Sequence, residues 1–383
     1  MTTLFTQGER TRKTSHRYNE SNYSFLDSSG WKSVSRVRDF WEGWFALYDE
    51  DKKHAVARRF QSADNHTHLS AFVELLTFAV LKHGNYQIVC EPPIGELALD
   101  FHAARDDVPS FYAECTATGR PVSKVSVDAR EAEIVEAIDK VPTGQFLLLV
   151  QFQERGADNL PLRPLRSKLG AWLESLANQE PTSEPQEFEW KDHGWTIHIK
   201  ALPTEIEIED DEGALGILGP HAYNHDQPLR LRSAIDGKAT KYGDLGQPMI
   251  VVSNSTEMQS ERDLMTALLG DVVWHLNHAT QEFTTGRKSN GVFYDTRSPR
   301  NVSLSAVLHG HFNVLSFAER DYRLVHHPLA TYQLPRGLFP FCKEIYFDTE
   351  SGDAVEEEAT TTLGQFFGLE DNWPFFNKDD EEP

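Results

Sequence analysis

The chain has 383 residues, a formal net charge of −22, 39% hydrophobic and 25% charged residues. These figures describe a folded globular protein of one large domain or two ordinary ones. They exclude a protein that coats nucleic acid through sheer positive charge. No run approaches the roughly eighteen apolar residues of a membrane span, and no signal-peptide core opens the chain. Three cysteines, Cys90, Cys115 and Cys342, fit neither a disulfide framework nor a metal knuckle. The expectation is a cytoplasmic protein without membrane association.

Met1 to Ser29 is polar and short of aliphatic residues, so it reads as mobile or loosely docked. Trp31 to Phe60 reads as one or two helices, with Val34, Val37, Phe40, Trp41, Trp44, Phe45 and Leu47 at helical spacing. The aromatic stripe reads as core. The basic residues Arg36, Arg38, Lys52, Lys53, Arg58 and Arg59 read as a solvated helix face. Leu69 to Leu81 is apolar on nearly every face, which predicts a buried helix closed by Gly84–Asn85. Glu74 stands in its middle, where a carboxylate is costly unless a partner, a cation or a proton compensates it.

Three strands follow: Tyr86–Cys90, Leu97–His102 and Phe111–Thr116, the last two around the polar loop Arg105–Pro109. Alternation places Leu97, Leu99 and Phe101 on one face and Ala98, Asp100 and His102 on the other. In the partner strand Phe111, Ala113 and Cys115 oppose Tyr112, Glu114 and Thr116. A hairpin symmetric about Asp107 sets Asp100 directly across from Glu114. Facing carboxylates repel, and a shared cation is the economical explanation. Glu74, Asp100 and Glu114 thus form a candidate divalent-metal site of hard oxygen ligands.

A helix carrying Glu74, then Leu99–Asp100–Phe101, then Glu114–Cys115–Thr116 resembles the PD-(D/E)XK, or restriction-endonuclease-like, nuclease superfamily. The resemblance covers roughly residues 66–150, with weaker continuation to about 255. It implies an α/β fold: an αβββαβ core with a mixed sheet, plus N-terminal helices and C-terminal α+β additions. It also implies that Asp100 and Glu114 hold Mg²⁺ or Mn²⁺, that Glu74 supports the site, and that the substrate is nucleic acid, DNA in the first place. In the family a Lys two residues after the Glu helps to activate the attacking water. Here Thr116 stands at that position and supplies a hydroxyl but no positive charge. A lysine from elsewhere, Lys238 or Lys124, would have to supply it. The alternative is a catalytically degenerate member of the fold, acting as a nucleic-acid or protein binding module. The missing Lys and the acidic total point that way. A bacterial restriction or defence role is what the resemblance suggests, and a homodimer or protein partner stays open.

Asp128–Ala129–Arg130–Glu131 has the spacing of a capping box and predicts a helix carrying Ile134, Val135, Ile138 and Val141. Phe146–Val150 is a continuous apolar strand, which completes an αβββαβ order. Arg163–Leu176 reads as an amphipathic helix and Asn178–Gln186 as a loop. Phe188–Trp190 and Trp195–Ile199 read as a hairpin around Lys191–Gly194. The acidic run Glu205–Glu212 reads as solvated.

Leu229–Tyr242 reads as a helix with Lys238 and Lys241 near its end, stopped by Gly243 and followed by the apolar strand Pro248–Ser253. This pair competes with residues 128–150 to close the core. Leu264–Gly270 continues as a helix or turn, Thr284–Asn290 reads as a mobile loop, and Val302–Leu308 as a strand. The acidic tail from Asp348 carries Phe366–Phe367 and Trp373–Phe376, aromatics that would clamp it to the body. The expected organisation is an N-terminal part at 1–65, a core with insertions at 66–255 and a C-terminal extension at 256–383. No H-E-x-x-H, G-x-S-x-G or G-x-G-x-x-G motif occurs, and the sixteen histidines read as core or surface residues.

Overall fold

Leu4 and Phe5 are buried, and the Phe5 amide donates to Glu42 Oε1 at 2.8 Å. The N-terminus is therefore docked through its two apolar side chains, against the expectation of a loose segment. Helices α1 (Asn22–Ser28), α2 (Lys32–Ala46) and α3 (Glu50–Phe60) follow. Asp49 caps α3, its side chain accepting from the Asp51 amide at 3.0 Å. Trp41 packs edge-on against Phe72, with ring centroids 4.8 Å apart, so the aromatic stripe is core as expected. The basic residues are not one solvated face. Arg38 and Lys53 are buried, and Arg38 donates to the carbonyls of Leu26 and Ser29.

The structure, a computed structural model, describes all residues except Met1, Ser15, Tyr18, Asn19 and residues 119–121, 179–183, 205–214, 218–225, 256–259, 278–281, 296–297, 349 and 376–383. The side chains of residues 122–129, 215–217, 226–227, 276–277, 282–283, 295 and 298 are likewise outside the description. Lys124, the acidic run Glu205–Glu212 and Phe376 fall in these sets.

Helix α4 (Asn65–His83) is capped by Asp64, which accepts from the Thr67 amide at 2.8 Å. The left-handed residue that follows it is Asn85 (φ 62°), not Gly84. Next come β1 (Gln87–Cys90), the short pair β2 (Pro93–Ile94) and β3 (Leu97–Ala98), then β4 (Phe101–Arg105) and β5 (Val108–Thr118). β1, β4 and β5 pair as an antiparallel meander. The single strand expected over 97–102 is broken at Leu99–Asp100. Leu99 enters one core and Phe101 the other, so the two do not share a face. The register Phe101↔Ala113 and His102↔Tyr112, continued by one step, brings Asp100 across from Glu114 as expected.

The chain divides into two compact units, and neither matches the expected borders at 65 and 255. One comprises Lys13–Ser21 and Arg120–Asn224, with α5 (Val122–Asp139), β6 (Phe146–Glu154), α6 (Leu162–Ala177), β7 (Gln186–Asp192), β8 (Trp195–Pro203) and β9 (Leu215–Ile217). Its strands form a separate sheet in the order β7-β8-β6-β9, with a core that includes Ile138, Leu148, Leu169, Trp195 and Ile197. α5 begins at Val122, ahead of the box expected at Asp128. The helix–strand pair at 128–150 therefore does not close the large sheet. Its apolar pattern serves a core of its own.

The other unit holds the N-terminal helices, β1 to β5 and everything after His225. α7 (Asp226–Ala239) leads into β10 (Met249–Ser255), which runs parallel to β5 with Val251 beside Glu114. α8 (Glu261–Leu269) opens with a capping box of Ser260 and Asp263. β11 (Val272–Asn277) and β12 (Glu282–Arg287) then form a two-stranded ribbon, so most of the expected loop at 284–290 is strand. After the small pair β13 (Tyr294–Asp295) and β14 (Ser298–Pro299) come β15 (Ala306–Gly310), β16 (Tyr322–His326), β17 (Cys342–Phe347), β18 (Ala354–Glu357) and α9 (Leu363–Phe366).

The large sheet is mixed and has the order β1-β4-β5-β10-β15-β16-β17-β18. The protein is thus α/β, and the C-terminal extension is part of the same sheet. One face packs on α4 through Phe72, Leu76, Phe101, Ala113, Cys115 and Leu308. The other packs on α7 and α8 through Leu231, Ile235, Met249, Val251 and Leu264. Trp373 meets Phe40 and Phe317 at ring distances of 5.3 and 5.2 Å, so an aromatic of the tail does clamp it to the body. Among the described residues no helix is long and apolar enough to cross a membrane.

Candidate functional site

On β5, Phe111, Ala113, Cys115 and Ala117 point to the α4 side, which leaves Glu114 on the face covered by α7. Its side chain is 2% exposed. The break before β4 puts Asp100 beside it, and the two are laced through the backbone. The Asp100 amide donates to Glu114 Oε2 at 3.1 Å, and the Cys115 amide donates to Asp100 Oδ2 at 2.6 Å.

α7 buries Leu231, Ile235 and Ala239, a stripe at four-residue spacing. Lys238 is seven residues after Leu231 and three after Ile235, so it projects from that same buried side. Its Nζ donates to Glu114 Oε1 at 2.7 Å. Just past the helix, the Tyr242 hydroxyl lies 2.9 Å from the same Oε1 and 2.8 Å from the Ala98 carbonyl. Lys241 Nζ donates to that hydroxyl at 2.8 Å and stands 3.8 Å from Glu114 Oε1. The lysine side chains, 30% and 38% exposed, are the solvent-facing part of the cluster.

Burial, then the neighbouring charges of Glu114 and Glu74, pushes Asp100 up to about 7, against the weaker opposite pull of the Cys115 amide and Lys238. Burial acts to lower Lys238, but its hydrogen bond and charge contact with Glu114 outweigh that, and it stays raised. Burial and Glu114 likewise raise Tyr242. A carboxyl poised near neutral pH can take or release a proton under working conditions.

Asp100, Glu114 and Lys238 are thus brought together. Glu74 is not in direct contact with them. It is buried on the α4 side, where Tyr48 donates to its Oε1 at 2.8 Å and Arg59 pairs with its Oε2 at 2.7 Å. Its charge reaches Asp100, but its hydrogen bonds go to α3 and the turn before it. Thr116 is half-buried on the Glu114 face, level with Ser253 of β10, and brings no cation. Sequence reasoning missed Tyr242, Lys241, Tyr48 and Arg59 as members of these clusters. The helical pattern of the sequence runs on to Tyr242, but α7 ends at Ala239 and Tyr242 reaches Glu114 from the turn beyond it.

Among the described residues no group of three or more His, Cys, Asp or Glu side chains is arranged around a metal position. The donor set still fits a small hard cation, because Mg²⁺ commonly binds one or two carboxylates and keeps several waters. Asp100 Oδ2 and Glu114 Oε2 each accept a single backbone hydrogen bond, and Asp100 Oδ1 has no hydrogen bond to a described residue. No known protein family, curated protein or solved structure matches this chain, so the reading of the site rests on its own geometry.

Proposed function

We propose that this protein is a metal-dependent nuclease that hydrolyses phosphodiester bonds of DNA. The observation that carries the reading is Lys238 Nζ, 2.7 Å from Glu114 Oε1 and next to Asp100. An ammonium delivered by α7 supplies the charge that Thr116 lacks. The chain order α4, β1, β4, β5, α7, β10 supports a restriction-endonuclease-like αβββαβ core, with the β2–β3 pair and the second unit as insertions. A bacterial restriction or defence role in the cytoplasm is in keeping with such a core.

Asp100 and Glu114 would hold Mg²⁺ or Mn²⁺, and the ion would supply Lewis acidity and neutralise charge at the phosphate. Lys238 and Lys241 would present their ammonium groups to phosphate oxygens. Glu74 acts on the site only through its charge, as a positioning residue. The overall charge of −22 does not oppose this, since local cations meet the substrate.

The test is incubation of purified protein with single- and double-stranded DNA and RNA in Mg²⁺ or Mn²⁺, with EDTA as control. DNA cleavage is expected, abolished in Glu114→Ala and reduced in Lys238→Ala. Cleavage that survives Glu114→Ala would place the activity elsewhere. Absence of cleavage with tight nucleic-acid or protein binding would favour the degenerate binding module, the reading that Thr116 supports.

A further inference from the structure

We propose that the Lys238–Glu114 ion pair is a latch that couples the two ligands of the site. It keeps a divalent cation off Glu114 until a nucleic-acid phosphate draws Lys238 away. The inference rests on the nuclease reading and adds an order of events to it.

Glu114 cannot meet a cation by swinging outward, because its side chain is 2% exposed and fixed on a central strand. A carboxylate oxygen has two lone pairs. Oε1 has two donors within reach, Lys238 Nζ at 2.7 Å and the Tyr242 hydroxyl at 2.9 Å, while Oε2 accepts from the Asp100 amide. A divalent ion shared by Asp100 and Glu114 would therefore face an ammonium bound to the same carboxylate, and like charges at such range repel.

Lys238 is the partner that can move. It lies one residue before the end of α7, has a flexible four-carbon stem and is 30% exposed. Tyr242 is held in place by Lys241 and by the Ala98 carbonyl, at 2.8 Å each. It can remain by Glu114 once Lys238 has gone. In water alone Lys238 gains nothing by leaving. A phosphate oxygen gives it an anion, and half-exposed Lys241 offers that phosphate a second ammonium. Asp100, Glu114, Lys238 and Lys241 balance formally, so an added divalent ion leaves positive charge for the phosphate to neutralise. Each ligand then favours the other, and by linkage the factor is the same in both directions.

The experiment titrates the full chain with Mn²⁺ and follows free Mn²⁺ by electron paramagnetic resonance. It is run alone, with a hydrolysis-resistant phosphorothioate DNA duplex, and with a matched methylphosphonate duplex that lacks backbone charge. The charged duplex should tighten Mn²⁺ binding by about tenfold, and the uncharged one should not. Lys238→Met and Lys238→Gln should bind Mn²⁺ tightly without DNA and gain nothing from it. Should either variant melt early by circular dichroism, the wild-type comparison of the two duplexes decides alone. Equal Mn²⁺ affinity with and without the charged duplex overturns the latch and leaves the nuclease reading standing. Folded Lys238 variants that bind Mn²⁺ more weakly than wild type also overturn it. No Mn²⁺ binding under any condition removes both.

Discussion

The two faces of β5 use the same kit in different ways. On the α4 side a buried carboxylate, Glu74, takes one phenol and one cation, Tyr48 and Arg59. On the α7 side Glu114 takes Tyr242 and Lys238. In the first set Tyr48 is buried among Phe45, Phe78 and Phe101, and charge is matched one to one. The second set has members left over. Asp100 adds a second carboxylate and Lys241 a second ammonium. A buried ion pair is a weak sign of chemistry by itself. Surplus groups at the edge of one are a better sign.

The sharpest way to break this contrast is to remove each carboxylate. Glu114→Ala should abolish DNA cleavage and Mn²⁺ binding, whereas Glu74→Gln should leave cleavage within about tenfold of wild type, as expected for a group outside the reacting shell. A dead Glu74→Gln that melts normally and keeps its Mn²⁺ affinity would make the two faces one site. Next in size is Arg59→Ala, which leaves Glu74 buried without its cation. Denaturant unfolding should show a loss of about 3 kcal/mol. A loss under about 1 kcal/mol would mean that water already screens the pair through the exposed side of Arg59.

A smaller effect is expected from Asp100→Asn, and its sign follows from linkage. Folding raises this carboxyl from 3.8 to about 7, so the folded state holds a proton that the unfolded chain releases. Its favourable contribution is full below pH 4 and is lost as pH rises to about 7. The Asn variant should flatten that decline and be more stable than wild type at pH 8 by about 1–2 kcal/mol, after allowance for solvent screening. Parallel stability–pH curves for the two proteins would contradict this. Smallest is Tyr242→Phe, which removes one hydrogen bond to Glu114 Oε1 and should change Mn²⁺ affinity by about two- to tenfold. No change would assign the hydroxyl to the Ala98 carbonyl alone.

Much of the site was legible because strand alternation is a local property. Phe111, Ala113 and Cys115 had to share a buried face, and the expected pairing of Asp100 with Glu114 holds although the tip closes as Arg105↔Val108, with a register shift before it, rather than symmetrically about Asp107. The break at Asp100 was hidden, since residues 97–102 alternate as a continuous strand would. Only the two opposed cores show why Leu99 and Phe101 part company. The closing pair was ambiguous for a similar reason. Residues 128–150 and 229–253 have equivalent helix–strand patterns, and which one joins the large sheet is decided by long-range pairing of β10 with β5. Lys238 was identifiable as a candidate from its place on an amphipathic helix. Tyr242 and Arg59 were not, because each reaches its carboxylate by a contact between separate elements that no local pattern marks.

The separation of Glu114 from Lys238 by 124 positions also sets an order of assembly during synthesis. At translation rates of roughly 5–20 residues per second, the carboxylate emerges some 6–25 s before its cation. Throughout that interval β5 has β4 on one side and an open edge on the other, since β10 follows Lys238. A separate folding unit of the chain is made in the meantime. The nascent polypeptide is therefore without its complete charge set until α7 has been made and docked, with β10 and β15 to β18 still to follow.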